Sequence, residues 1–148
     1  MKCLLCGATA REELIEQTIT VGGRKYVYKV PAVTCSKCGE SLMNGPDVKA
    51  LEVRVAARIA NDGIVSGETF RFMRNVLGMK AVNLAALLDV TPETISRWEN
   101  GAKNVDRASW VTLGGLIIDE LEGKHAALDR LKKAAGKPPR AKVVRLCA

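Results

Sequence analysis

Histidine is nearly missing from this chain: His125 is the only one among 148 residues. Relays that activate a Ser or Cys nucleophile use a positioned imidazole beside it, and a lone histidine far from every paired cysteine offers none. No glycine-rich phosphate loop occurs, and no Asp/Glu pair stands in an evident pocket-forming context. Catalysis is therefore not expected. Aromatics are scarce as well, with two Phe, two Tyr and two Trp. Helix packing must rest on Leu, Val, Ile and Ala. No signal peptide and no membrane-spanning run is expected from the sequence. The expectation is a cytoplasmic protein in a reducing compartment, with no membrane partner.

The chain has size enough for two small domains, and its 47% apolar content is that of a globular protein. Lys and Arg number 23 against 16 Asp and Glu, for a formal charge of +7. Location changes what that charge means. Residues 64–104 hold five basic and four acidic side chains, whereas residues 124–148 hold eight basic side chains and one Asp. The basic balance belongs to the tail.

The most telling stretch is residues 91–101, Thr-Pro-Glu-Thr-Ile-Ser-Arg-Trp-Glu-Asn-Gly. Thr91 suits an N-cap, Pro92 sits where a missing N–H costs nothing, and Gly101 suits the left-handed position after the helix. At 100° per residue Ile95 and Trp98 share one face. Glu93, Arg97 and Asn100 lie opposite, flanked by Thr94 and Ser96. A short capped helix with a polar outer face fits a major groove. Upstream, Phe70, Met73, Arg74 and Leu77 have helical spacing, and Gly78 can end that helix. A second short helix is expected over residues 80–88, with Leu84, Ala85, Leu87 and Leu88 as its apolar positions. Asp89, Val90 and Thr91 then form a tight turn, with Val90 plugging the space between the helices. The alternative is an αα-hairpin in an ordinary helical domain, with Arg97 a solvated residue paired to Glu93.

Through "LAALLDVTPETISRWENG", residues 84–101, the chain resembles the helix-turn-helix domain of phage-repressor and Cro-like regulators. The likeness implies that Pro92, Glu93, Thr94 and Arg97 point at base edges, that Trp98 belongs to the core, and that Asn100 lies near the sugar-phosphate backbone. Arg97 can bond bidentately to guanine, and Glu93 can accept from cytosine or orient Arg97. Many members carry Gln at the start of the second helix as a phosphate clamp. Here Ala81 stands in that place, and Lys80 can substitute as a point charge. The candidate DNA-binding residues are thus Lys80, Thr91, Pro92, Glu93, Thr94, Ser96, Arg97 and Asn100.

Four of the five cysteines form two Cys-x-x-Cys-Gly pairs, Cys3/Cys6 and Cys35/Cys38, with 28 residues between them. Each pair closes a tight loop whose amides can point at sulfur, and the four thiolates match a structural zinc site. Two disulfides suit a reducing compartment badly. A redox pair explains one motif but not its duplication. A four-cysteine iron site uses similar knuckles, and visible colour would reveal it. Cys147 has no cysteine neighbour and reads as a free thiol. Between the pairs, residues 16–30 alternate as a hairpin about Gly22-Gly23, with Ile19 and Val21 before the turn and Tyr26, Tyr28 and Val30 after it. Metal binding is expected to supply much of this ribbon's stability.

The rest is helical. Val48, Leu51, Val55 and Ile59 make one stripe over residues 47–60, read as a connecting helix packed on one neighbour. Trp110, Leu113, Leu116, Ile117 and Leu121 mark a closing helix, with Gly114-Gly115 a thin contact or kink. Residues 125–135 carry Leu128 and Leu131, for core closure or a dimer seam. From Gly136 a basic tail with Pro138-Pro139 reads as a solubilising segment or a phosphate-contacting arm.

The order "CLLCG", hairpin, "CSKCG", helix, "SRWENG" resembles the MqsA/YgiT-type family of zinc-finger antitoxin regulators over residues 1–105. That likeness implies an N-terminal zinc domain able to bind a partner such as a cognate toxin, and a dimeric repressor half. The expected fold is α+β: a small zinc-ribbon-like hairpin domain (residues 1–45), a linker helix (46–63), an all-α Cro-like helix-turn-helix domain with closing helices (64–123), and a helical extension with basic tail (124–148). The expected function is a sequence-specific DNA-binding repressor. It would act as a homodimer on a palindromic double-stranded operator, with structural Zn2+ on Cys3, Cys6, Cys35 and Cys38. The alternatives are a stand-alone regulator without a toxin and a zinc-ribbon protein-interaction adaptor.

Overall fold

The computed structural model describes residues 1–147. Two long strands, β1 (Ala10–Val21) and β2 (Arg24–Cys35), pair antiparallel about Gly22-Gly23. Both glycines have positive φ, 60° and 73°, the type I′ geometry whose twist matches the flanking strands. The hairpin is longer than the alternation suggested. Its ladder runs from Val21↔Arg24 to Ala10↔Cys35, so the second cysteine knuckle grows directly from the end of β2. A short β3 (Ser41–Met43) adds to β2 at Ala32–Thr34, giving the sheet order β1-β2-β3.

Six helices follow, making a mixed α+β fold. Helix α1 (Gly45–Asp62) starts with Pro46 in its first turn and stops at Gly63, φ 67°. Helix α2 (Gly67–Val76) opens on a reciprocal Ser66/Thr69 capping box. Helices α3 (Ala81–Leu88) and α4 (Pro92–Glu99) are short, eight residues each. Helix α5 (Arg107–Leu121) begins where the Asp106 carboxylate accepts from the Ser109 amide. Helix α6 (Ala126–Ala135) packs on α5 and α3 without a fully buried residue.

Helix α1 does more than connect. Val53, Ala56 and Ala57 are buried along with Leu51, Val55 and Ile59, because α1 lies against α5, α2 and β2 rather than one neighbour. A single stripe of four positions could not reveal that second contact face. The α1/α5 crossing is close: a Cβ on Gly114 would sit 3.2 Å from Ala60 Cβ, so the thin contact read from Gly114-Gly115 falls on Gly114. Leu121, counted with the apolar stripe of α5, is exposed.

The core is continuous from helices into hairpin. Phe70, Met73, Leu84, Ile95, Trp98, Trp110, Leu113 and Ile117 are buried with Val21 in one cluster, and Ile19, Tyr26 and Tyr28 pack on its edge. Burying a side chain the size of Ile95 contributes about 1.5–3 kcal/mol. The hairpin tip abuts α2, since a Cβ on Gly22 would meet Thr69 Cγ2 at 2.7 Å. The other end of the hairpin carries the cysteines.

Candidate metal centre and the exposed face of helix α4

The two knuckles are built alike. In the first, the Leu5 amide points at Cys3 Sγ (3.4 Å) and the Gly7 N–H donates to the Cys3 carbonyl (2.9 Å). In the second, the Lys37 amide points at Cys35 Sγ (3.4 Å) and the Gly39 N–H donates to the Cys35 carbonyl (3.1 Å). Gly7 and Gly39 both take φ 71°, a left-handed turn that strains any residue with a Cβ. The knuckles are tied together through Thr9, whose carbonyl accepts from the Ser36 amide (3.2 Å) and hydroxyl (2.9 Å).

This brings together four sulfurs whose motifs are far apart in sequence. Cys3 Sγ lies 3.7 Å from Cys38 Sγ and Cys6 Sγ lies 3.4 Å from Cys35 Sγ, with all four within 4.8 Å of one another. A disulfide needs about 2.05 Å, so these are thiols. Four sulfurs at about 2.3 Å from a tetrahedral centre stand about 3.8 Å apart, near the separations seen. The donor set is wholly soft, with no carboxylate or imidazole in it. These residues could hold a metal ion.

Electrostatics make the same point. The Cys38 and Lys37 amides pull the Cys35 thiol down to about 6. The Cys6 and Leu5 amides lower Cys3. Their partners go the other way. The Glu40 amide favours the Cys38 thiolate, but the bond to Cys35, burial and the remaining sulfurs outweigh it and hold Cys38 at about 12. Cys6 rises likewise: the Ala8 amide lowers it, and Cys35 with burial raises it more. Without a cation each pair favours one thiolate, because neighbouring negative sulfurs repel. A dication removes that conflict and holds all four deprotonated.

The second candidate surface is the outer side of α4. Thr91 caps the helix, accepting from the Thr94 amide at 3.2 Å, with Pro92 in the first turn. Gly101 beyond the C-terminus has φ 79°. The turn from α3 depends on Asp89 at φ 54°, the only non-glycine residue with positive φ among the described residues. Val90 packs on the core, and its amide donates to the Ala85 carbonyl at 3.0 Å.

Three contacts hold the inner face of α4. Ile95 and Trp98 are buried, and Trp98 meets Phe70 edge-on at a centroid distance of 5.5 Å. Gly67 lets α2 approach so closely that a Cβ there would lie 2.0 Å from the Trp98 carbonyl oxygen. Arg74 donates to Glu99 from Nε at 2.6 Å and Nη2 at 3.0 Å, and to the Met79 carbonyl from Nη1 at 2.8 Å. Both ion-pair side chains are little exposed, 12% and 11%.

The residues expected to meet DNA divide by what they already do. Lys80, Pro92, Glu93, Ser96 and Arg97 are exposed, and Thr94 is half-buried beside the cap. Thr91 is exposed but engaged as the cap, and Asn100 Oδ1 accepts from the Ala102 amide at 2.9 Å. Glu93 and Arg97 make no ion pair among the described residues, so Arg97 is not oriented by its neighbour one turn away. Sequence reasoning missed the Arg74–Glu99 pair. Twenty-five residues separate the partners, and Arg74 was read only as part of a helical spacing. Gly67 carried no signal in the sequence.

The chain matches no protein-family model and no curated protein sequence.

Proposed function

We propose that the protein is a sequence-specific DNA-binding regulator that presents α4 to the major groove and carries a structural zinc on Cys3, Cys6, Cys35 and Cys38. The observation that carries the reading is the division of α4. Its apolar side is fixed by Ile95, Trp98, Gly67 and the Glu99–Arg74 pair, while Glu93, Ser96 and Arg97 stand on the exposed side. Rigid mounting of a short polar helix is what base readout needs, because bidentate contacts tolerate little misplacement. Helix α3, the Asp89–Thr91 turn and α4 serve as the helix-turn-helix in this reading.

Zinc is favoured over iron because a DNA-binding regulator has more use for a redox-inert structural cap at the end of its hairpin than for an electron carrier. A homodimer on a palindrome supplies the affinity that a net charge of +1 around the helix-turn-helix cannot. The exposed basic tail adds a salt-dependent contribution. The family likeness further suggests an antitoxin whose N-terminal end binds a toxin. A cavity of about 290 Å³ beside the cysteines, lined by Met1, Leu4, Leu5, Val33, Leu42 and Met43, favours a protein partner there. Leu4 and Leu5 are 85% and 70% exposed. The same patch would serve an adaptor.

Fluorescence anisotropy with promoter-derived and random duplexes across a salt series tests the reading. The expected result is a preference for one duplex that persists as salt weakens both. Equal affinity for all duplexes at every salt concentration contradicts it and favours the adaptor.

A further inference from the structure

Strand β2 has an unfinished edge. β3 covers it only at Ala32–Thr34, and earlier in β2 the side away from β1 has no strand among the described residues. The two-residue type I′ turn makes Val21 and Arg24 a hydrogen-bonded pair. Alternation then turns the main-chain N–H and C=O of Arg24, Tyr26 and Tyr28 toward β1, and those of Lys25, Val27 and Lys29 outward. Pro31, which has no N–H, falls in the outward set, where it breaks no ladder. No backbone partner meets the outward groups of Lys25, Val27 or Lys29 among the described residues.

That edge forms one wall of a groove of about 720 Å³, and α1 forms the other through Leu51, Arg54, Val55 and Arg58. Tyr26 and Tyr28 also line it, and the buried Tyr26 hydroxyl has no hydrogen-bond partner. Three cations line the groove from the α1 side, Arg24, Arg54 and Arg58, and Lys25 and Lys29 flank the edge from the other face of β2. The carboxylates at hand are Asp62, which already binds Arg24 (2.9 Å) and Arg58 (2.8 Å), Glu52 beside Tyr28, and Glu16, which stands across from Lys29 in the β1–β2 register. Lys25, Lys29 and Arg54 make no ion pair among the described residues.

A small anion or a DNA backbone would use this charge but leave the row of main-chain groups unmatched. An extended polypeptide uses both, taking hydrogen bonds from the strand edge while its side chains meet the helix wall. We infer that the groove between the open edge of β2 and α1 receives an extended acidic peptide segment of a partner protein as an added strand. The charge selects the partner, and the edge fixes its direction and register. This site is separate from α4 and from the cysteine cluster, and does not depend on DNA binding.

The test uses the full metal-loaded chain and a fluorescein-labelled peptide of alternating Glu and Val, about six residues long, the usual length of a strand. Saturable binding is expected, weakened about tenfold or more by Arg54→Glu, since charge reversal at a docking wall opposes an acidic ligand. Two peptides, N-methylated on one or the other alternate set of amides, should differ: methylation of the set facing β2 should abolish binding. Amide exchange at Lys25, Val27 and Lys29 should slow in the complex, while Tyr26 and Tyr28, already bonded to β1, stay unchanged. Absence of binding overturns the inference. So does binding that survives N-methylation of each alternate set in turn, which would be charge alone. Duplex DNA that displaces the peptide through Arg54 without slowing those three amides marks a nucleic-acid surface and also overturns it.

Discussion

Removing Glu99 should damage the protein more than a helix-end carboxylate ordinarily would. Glu99 binds Arg74 through two charge-assisted hydrogen bonds, 2.6 and 3.0 Å long, and both side chains are nearly nine-tenths buried. Glu99→Ala deletes the partner and leaves the guanidinium in place. Breaking a buried pair by removing one member costs about 3–5 kcal/mol. Here the lower end applies, about 3 kcal/mol, because Arg74 keeps its bond to the Met79 carbonyl. Replacing both members with apolar residues, Arg74→Met with Glu99→Leu, strands no charge and should cost well under that. Urea unfolding of wild type, Arg74→Met, Glu99→Leu and the double variant measures the cycle, with Glu99→Ala beside it, provided the slope of stability against urea stays constant. A Glu99→Ala loss below about 1 kcal/mol, the scale of an exposed pair, would refute the reasoning. So would a double variant as unstable as Glu99→Ala.

Other perturbations probe other contacts. Gly67→Ala drives a Cβ to 2.0 Å from the Trp98 carbonyl, and should cost about 1–3 kcal/mol by overpacking while shifting α4. Thermal melting and the tryptophan fluorescence spectrum, read in a Trp110→Phe background so that it reports Trp98, would detect both effects. The Asp106 carboxyl is held below its ordinary value by the Ser109 amide and then by the Ser109 hydroxyl. Its folded pKa lies below the unfolded one, so its contribution is complete above about pH 4 and is lost as pH falls through the folded value. Asp106→Asn should flatten the stability–pH curve only in that acid window. If the four cysteines hold a metal as proposed, a strong chelator should loosen the knuckles and the Ala10↔Cys35 end of the ladder. Protection near Val21, which is anchored in the helical core, should outlast it. Hydrogen exchange reads that gradient, and uniform loss across the hairpin would contradict it.

What was legible in the sequence was mostly local. Thr91 with Pro92, Gly78 and Gly101 announce helix ends because caps and left-handed residues are set by a few neighbouring atoms. Each Cys-x-x-Cys-Gly loop likewise encodes its own turn. That the two loops would meet followed from donor counting rather than geometry, and the ladder from Ala10 to Cys35 supplies the geometry. The first half of β1 escaped notice because Glu12, Glu13 and Leu14 are all exposed and carry no alternation. Contacts between distant segments were beyond reach. Glu99 had no assigned partner because Arg74 lies twenty-five residues away, and α1 read as a connector although α5, α2 and β2 all pack on it.

The most direct measurement is the DNA affinity of Arg97→Ala beside wild type, on the preferred duplex and on single-base variants of it. Arg97 is exposed, unpaired with Glu93 among the described residues, and carried on a helix whose inner face is fixed. The expected result is a loss of roughly 1–3 kcal/mol on the preferred duplex, with discrimination gone at one base pair and non-specific binding retained. Unchanged affinity and unchanged discrimination in Arg97→Ala would contradict the claim that α4 reads DNA.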